Sequence, residues 1–227
     1  MPVALFLIPI VLVAGIAVML LVLGGEGAGI PILGGGTGPD DSTPEFDFRV
    51  GQATVVATDA EAKRGDLVDD ATAVADEITP TIDDLFTNAF LDPTNWREGD
   101  YEEVFTAFSE QARPTAEQNL EILTLGAQAG DVFEDVEPGK GRLVYDVLFD
   151  REGNPATAVV VVSFTAIGER IDGTFVQVVS DGQFFFENVD GWKIVSFDVV
   201  RKDQDVEAPT PAPSGASGTT GATGASA

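Results

Sequence analysis

The hydrophobic period of this chain changes once along its length, and that change limits the fold more than any other feature. Leu67, Ala71, Val74, Ile78, Ile82, Leu85, Phe86 and Ala89 recur every three or four residues, the spacing of one buried helix face. From Val132 onward apolar residues alternate with a period of two, as in strands that bury one side. Helices first and hairpin-linked strands after them define an α+β domain, with a curved antiparallel β-meander following the helices.

The spacing predicts a long helix over Leu67–Phe90, kinked at Pro80 or divided there into two helices in close register. Asp66 is placed to cap it, and Asp69-Asp70 suit the positive end of its dipole. Leu91–Gly99 reads as a turn segment. Asp100 opens a short helix with Tyr101, Val104, Phe105 and Phe108 on one face. Arg113-Pro114 opens another, with Ala116, Leu120 and Leu123 inward and Gly126 beyond its end. Strands are expected at Arg142–Asp150, Ala156–Glu169, Thr174–Asn188 and Trp192–Arg201. The connections at 151–155, Asp172-Gly173 and 189–191 carry hairpin chemistry. Asp181-Gly182 either divides the third strand or bulges within it. Phe46–Thr58 is an edge strand or the ordered end of a tether. The expected core contains Leu85, Phe86, Phe105, Leu120, Tyr145, Phe164, Phe186, Trp192 and Ile194.

Ahead of this domain, residues 2–23 carry no charged or amide side chain. At about 1.5 Å per residue they reach about 33 Å, enough to cross a hydrocarbon core of about 30 Å. The run exceeds a secretory h-region and no Lys or Arg precedes it, so a retained anchor is expected over a signal peptide cut near Gly27-Ala28-Gly29. The expected partner of residues 3–23 is therefore the lipid bilayer. The chain divides into an anchor (1–24), a Gly-rich linker (25–45), a domain (46–205) and a tail (206–227) of Pro, Ala, Ser, Thr and Gly that buries too little to fold. An uncharged N-terminus before a large acidic domain fits a single-pass cell-membrane protein whose C-terminal domain is extracytoplasmic.

Cysteine and histidine are both absent. Disulfides, thiolate metal sites, a histidine base and the Ser-His-Asp and Cys-His arrangements are excluded together. The 12 basic and 38 acidic residues leave a net charge of −26, which repels phosphate backbones, so nucleic acid is no partner. Gly25–Gly29 lacks the flanking strand and helix of a phosphate loop, and Lys140 in Pro138-Gly139-Lys140-Gly141 sits in a turn. Asp150–Asn154 lacks the twelve-residue frame of a calcium loop and reads as a hairpin turn. No metal, cofactor or catalytic set is expected.

The helix pattern, followed by a meander ending in Asp190-Gly191-Trp192-Lys193-Ile194 and Phe197-Asp198-Val199, resembles the nuclear-transport-factor-2-like (NTF2-like) cone over about residues 60–202. With an N-terminal anchor it is also similar to Mce-associated membrane proteins and to anchored proteins of high-GC bacteria. The resemblance implies a sheet curled around a pocket and capped by helices. Some members are isomerases, dehydratases or hydrolases, and others serve binding or assembly. The candidate ligand-binding residues are Tyr145, Asp146, Trp192 and Asp198. Tyr145 and Asp146 are strand neighbours and face opposite ways, so only one reaches a given pocket. Simple alternation puts Ser196 and Asp198 on the face of Trp192 and Ile194. The expected function is a membrane-anchored extracytoplasmic binding or assembly module without catalysis, taking an envelope protein or a small apolar ligand. The alternative is a small-molecule enzyme or ligand sensor built on a carboxylate and Tyr pocket.

Overall fold

The computed structural model describes residues 44–56, 64–188 and 190–208. The expected anchor, most of the linker and the tail beyond Ala208 lie outside the described residues. Among the described residues no helix is long and apolar enough to cross a membrane.

Helix α1 spans Val68–Phe86 and buries Ala71, Val74, Ala75, Ile78, Ile82, Leu85 and Phe86, the expected stripe. It continues through Pro80. Proline removes the N–H that would reach the carbonyl of residue 76, but Asp76 and Pro80 are both exposed, so solvent can satisfy that carbonyl. After α1 the backbone widens into a π-turn, Thr87–Leu91. Asp66 does not cap α1, which is preceded by a 3-10 turn, Arg64–Leu67.

The segment expected as a turn contains helix α2, Pro93–Glu98. Its ends follow helix grammar: Asp92 accepts a hydrogen bond from the Thr94 amide at 2.8 Å, Pro93 opens the first turn, and Gly99 closes it at φ +69°. Tyr101, Val104, Phe105 and Phe108 are buried around a 3-10 turn, Val104–Ala107. Three short helices follow: α3 (Arg113–Gln118), α4 (Leu120–Leu123) and α5 (Ala129–Val132).

Strands β3 (Phe133–Phe149), β4 (Pro155–Arg170), β5 (Phe175–Asn188) and β6 (Trp192–Val206) form the antiparallel meander. The sheet as a whole is mixed. The short strands β1 (Phe48–Val50) and β2 (Thr54–Val56) both pair with β3 in parallel, which corrects the purely antiparallel expectation. In the meander β3 would be an edge with unpaired backbone groups, and the segment before α1 supplies partners for them. Pro138–Gly141 is not a turn. It is a bulge inside β3, since Pro138 opposes Ala166 while Gly141 opposes Phe164. The Lys140 amide there donates to Thr165 Oγ1 at 3.1 Å.

Conversely, β5 runs through Asp181-Gly182 without a register shift. Gly182 is required for another reason: a Cβ there would lie 2.8 Å from the Asp198 carbonyl oxygen and 2.9 Å from Val199 Cα on β6.

One sheet face carries Leu143, Tyr145, Val160, Phe164, Val178, Phe184, Phe186 and Ile194 into the core beneath the helices. Every expected core residue is buried except Leu120, which is half-buried and packs against the others. Helices followed by a mixed sheet give the expected α+β order.

Candidate functional site

The space enclosed by sheet and helices is filled by the chain's own aromatic rings. Phe164 on β4 is the hub: its centroid lies 4.7 Å from Phe86, 4.8 Å from Phe46 and 5.0 Å from Phe90. Phe48 lies 5.9 Å from Phe86, and Phe184 lies 5.8 Å from it on another side. Phe46 and Phe48 are alternate residues of the strap that carries β1, so the intervening Asp47 faces solvent. Hollows occur on the surface of the described residues. One of about 370 Å³ is bordered by Thr81, Asp84, Asn88, Glu103, Thr106 and Lys193, and one of about 250 Å³ lies beside Gln52–Val55. Lys193 Nζ is already committed to the Thr106 carbonyl at 2.9 Å.

The four candidate ligand residues divide between two faces. Tyr145 is fully buried and its hydroxyl lies 2.7 Å from Thr79 Oγ1. Thr79 gives its own proton to the Ala75 carbonyl at 2.8 Å, so the Tyr145 hydroxyl is the donor to Thr79. Burial, with the nearby charges of Asp83 and Asp76, pushes the Tyr145 hydroxyl up to about 12. Tyr145 therefore stays protonated at physiological pH. Trp192 is also inward, and its indole N–H donates to Glu77 Oε2 on α1 at 3.0 Å.

Asp146 and Asp198 lie on the outer face of the sheet. For Asp198 this corrects the alternation rule. Phe186 opposes Ile194, but its neighbour Phe185 opposes Ser196, so β6 holds an extra residue at Val195. Beyond that bulge Phe197 and Val199 turn toward the core while Ser196 and Asp198 are exposed. Ser196 and Asp198 thus do not share the face of Trp192 and Ile194.

The inward carboxylate is one that the sequence reading passed over. Asp83 sits on α1 one turn beyond Thr79, at the margin of the buried stripe, and its Oδ1 is enclosed without a hydrogen-bond partner. Burial raises its carboxyl to about 6, assisted by the charges of Asp84 and Glu45. The i, i+4 spacing of Ala75, Thr79 and Asp83 was the available signal. A polar residue beside an apolar stripe usually stays solvated, however, and only the tertiary fold encloses this one. Chemically, Asp83 can hold or release a proton near pH 6, with the Tyr145 hydroxyl as a neutral neighbour.

Elsewhere the polar side chains close the fold. Asp150 accepts from the Asn154 amide at 2.8 Å within the β3–β4 turn, and that bond lowers its pKa. The expected hairpin turn is present there. Trp96 is buried on α2, and Tyr101 donates to the Gly126 carbonyl at 3.0 Å.

No protein-family model matches the chain, and no curated protein matches it either. Solved structures similar to it include the following two. A scytalone-dehydratase-like protein from Novosphingobium aromaticivorans DSM 12444 is 16% identical with a TM-score of 0.43, covering 65% of this chain and 97% of that one. A hexachlorocyclohexane dehydrochlorinase (LinA) type 2 is 12% identical with a TM-score of 0.38, covering 65% of this chain and 99% of that one.

Proposed function

We propose that this chain is a membrane-anchored, extracytoplasmic binding or assembly module of the cell envelope that performs no catalysis. The observation that carries this reading is the aromatic filling of the interior. Where an enzyme of this architecture would hold substrate, Phe46, Phe48, Phe86, Phe90 and Phe164 pack on one another. The sequence adds the uncharged run at 2–23, the resemblance to Mce-associated membrane proteins, and the absence of histidine and cysteine. The groups left for docking are external, and among them Asp146 and Asp198 stand on the sheet face that the helices do not cover.

Protease treatment of intact cells should remove the domain while the N-terminus stays in the membrane fraction. An epitope-tagged chain should capture an envelope partner, and Asp146→Lys with Asp198→Lys should abolish capture without unfolding the domain. Unchanged capture by a correctly folded variant would remove this face from the proposal. Recovery of the whole protein as a soluble species beginning near Ala28 would overturn the anchoring.

Asp83 favours the second reading, a small-molecule enzyme or ligand sensor. A carboxyl held near 6 beside a buried tyrosine is suited to proton transfer. That reading requires an opening into the interior. It predicts loss of a cellular phenotype in Asp83→Asn while partner capture persists.

A further inference from the structure

β6 is the last strand of the sheet, and among the described residues no strand lies on its outer side. Near its start the Ser109 amide donates to the Ile194 carbonyl at 2.9 Å. From Ser196 to Val206 that edge meets no further backbone partner among the described residues. A strand with a row of unpaired N–H and C=O groups is a template for another strand.

Exposed apolar side chains border the same edge. Val200 stands 53% exposed on the outer sheet face. Ile122 on α4 is exposed too, and the carbonyl of Glu121 just before it accepts from Arg201 Nη1 at 3.1 Å. Apolar groups therefore lie beside β6 both on the open face and on the helix side.

The order of charges along β6 specifies what fits. Ser196, Asp198, Val200, Lys202 and Gln204 are alternate residues on the outer face. Asp198 and Lys202 stand two residues to either side of Val200, and neither joins an ion pair among the described residues. When a second β6 runs antiparallel to the first with the two Val200 residues opposed, each Lys202 faces Asp198 of the other copy. Each Ser196 then faces the other Gln204. Centring the pair on Asp198, Arg201 or Lys202 would set like charges face to face, and centring it on Val199 would leave Asp198 and Lys202 opposite uncharged residues. Opposite charges directly across a strand pair stabilise it and like charges destabilise it, so one register is selected.

The strand is thus complementary to its own reversed copy. Charges on an edge ordinarily keep other strands away, and here their order admits a strand with the same alternation. The net charge of −26 makes two copies repel, so association requires a contact that sets cation against anion.

We propose that the chain forms a twofold-symmetric dimer through the outer edge of β6, with two antiparallel copies paired about Val200 so that the two sheets become one. The interface is isologous, and the same residues serve both copies. This association of the chain with itself goes beyond the docking of an envelope partner.

The chain lacks cysteine, so a single introduced thiol reports the pairing without background. The full chain carrying Val200→Cys, in mild detergent with micelles in excess, should form a disulfide-linked dimer under mild oxidation. Directly opposed residues of antiparallel strands have Cα atoms about 4.5–5.5 Å apart, within reach of a disulfide. Ser163→Cys lies on the same row two strands away and should stay monomeric. Absence of the Val200→Cys dimer, or equal cross-linking at both positions, would overturn the proposal.

Exchanging the charges tests the register separately. Lys202→Asp should weaken the dimer roughly tenfold in sedimentation equilibrium, because two symmetric pairs become repulsive. Adding Asp198→Lys reverses both signs and should restore association. An unaffected single variant, or a double variant that stays weak, would overturn pairing about Val200. Each substituted position is exposed, so circular dichroism should not change. No envelope partner enters these measurements, so their failure leaves the docking function above in place, and failure of partner capture leaves the dimer in place.

Discussion

Asp83 shows how a single side chain acquires a property that its neighbours in sequence do not dictate. Asp84 is next to it on the same helix and is exposed, whereas one oxygen of Asp83 is enclosed without a hydrogen-bond partner. Its folded-state pKa of about 6 lies above its ordinary 3.8. The stability that it contributes is therefore fully present below about pH 3.8 and lost as pH rises through 6. Asp84, Glu45 and Tyr145 are the titratable groups facing it. Replacement by asparagine keeps the shape and removes the charge. Asp83→Asn should raise stability at pH 7 by about 1 kcal/mol, allowing for solvent screening of a partly exposed group. It should also flatten the stability profile between pH 4 and 7. Urea unfolding across that range reads both effects, and an unchanged slope would show that Asp83 is solvated.

At the scale of elements, glycines decide how closely strands and strap approach one another. Gly141→Ala would drive a methyl into the Phe48 ring. Because the obstacle is a side chain on a short segment, the strap should yield and β3 should stay in place. We expect a loss of about 1–3 kcal/mol and faster exchange at Gly51, with β4–β6 protection unchanged. Gly182→Ala presents the opposite case, since its obstacles include the β6 backbone at Asp198 and Val199. The meander itself must open there, and destabilisation of at least about 2 kcal/mol is expected, with protection lost across β5 and β6 together. Thermal melts of the two variants, combined with hydrogen exchange, separate a strap effect from a sheet effect.

The whole molecule carries a net charge of −26, with 12 cations against 38 anions. Only a few of those anions are paired in the described residues: Arg113 holds Glu102 and Glu117, Arg170 holds Asp205, and Arg201 holds Asp203. Self-repulsion among the rest opposes the compact state. It is screened over about 10 Å at 0.1 M salt. Raising sodium chloride from 10 to 150 mM should therefore raise the melting temperature by a few degrees, roughly the shift produced by 1 kcal/mol in a domain of this size. A fall over that range would mean that exposed ion pairs outweigh the repulsion. The same charge favours a partner with basic groups.

Local chemistry was sufficient wherever the energy of an element depends on its own spacing. The stripe from Ala71 to Phe86, the alternation from Arg142 onward and the turns at Asp150–Asn154 and Gly173 could be read from the sequence. Burying every third or fourth residue, or every second, requires those residue types at those intervals. Even α2 was legible in principle from Asp92-Pro93 and Gly99, whose capping roles are local. The placement of the strap was not, because parallel pairing with β3 joins residues far apart in sequence. Nor was the bulge at Val195, which takes its position from the partner strand and reverses the faces of Ser196 and Asp198. The enclosure of Asp83 likewise depends on the tertiary fold. The sequence determined which segments are helix and strand and which faces are apolar. Only the tertiary structure decided which polar groups lie inside, because burial of a side chain is set by its spatial neighbours.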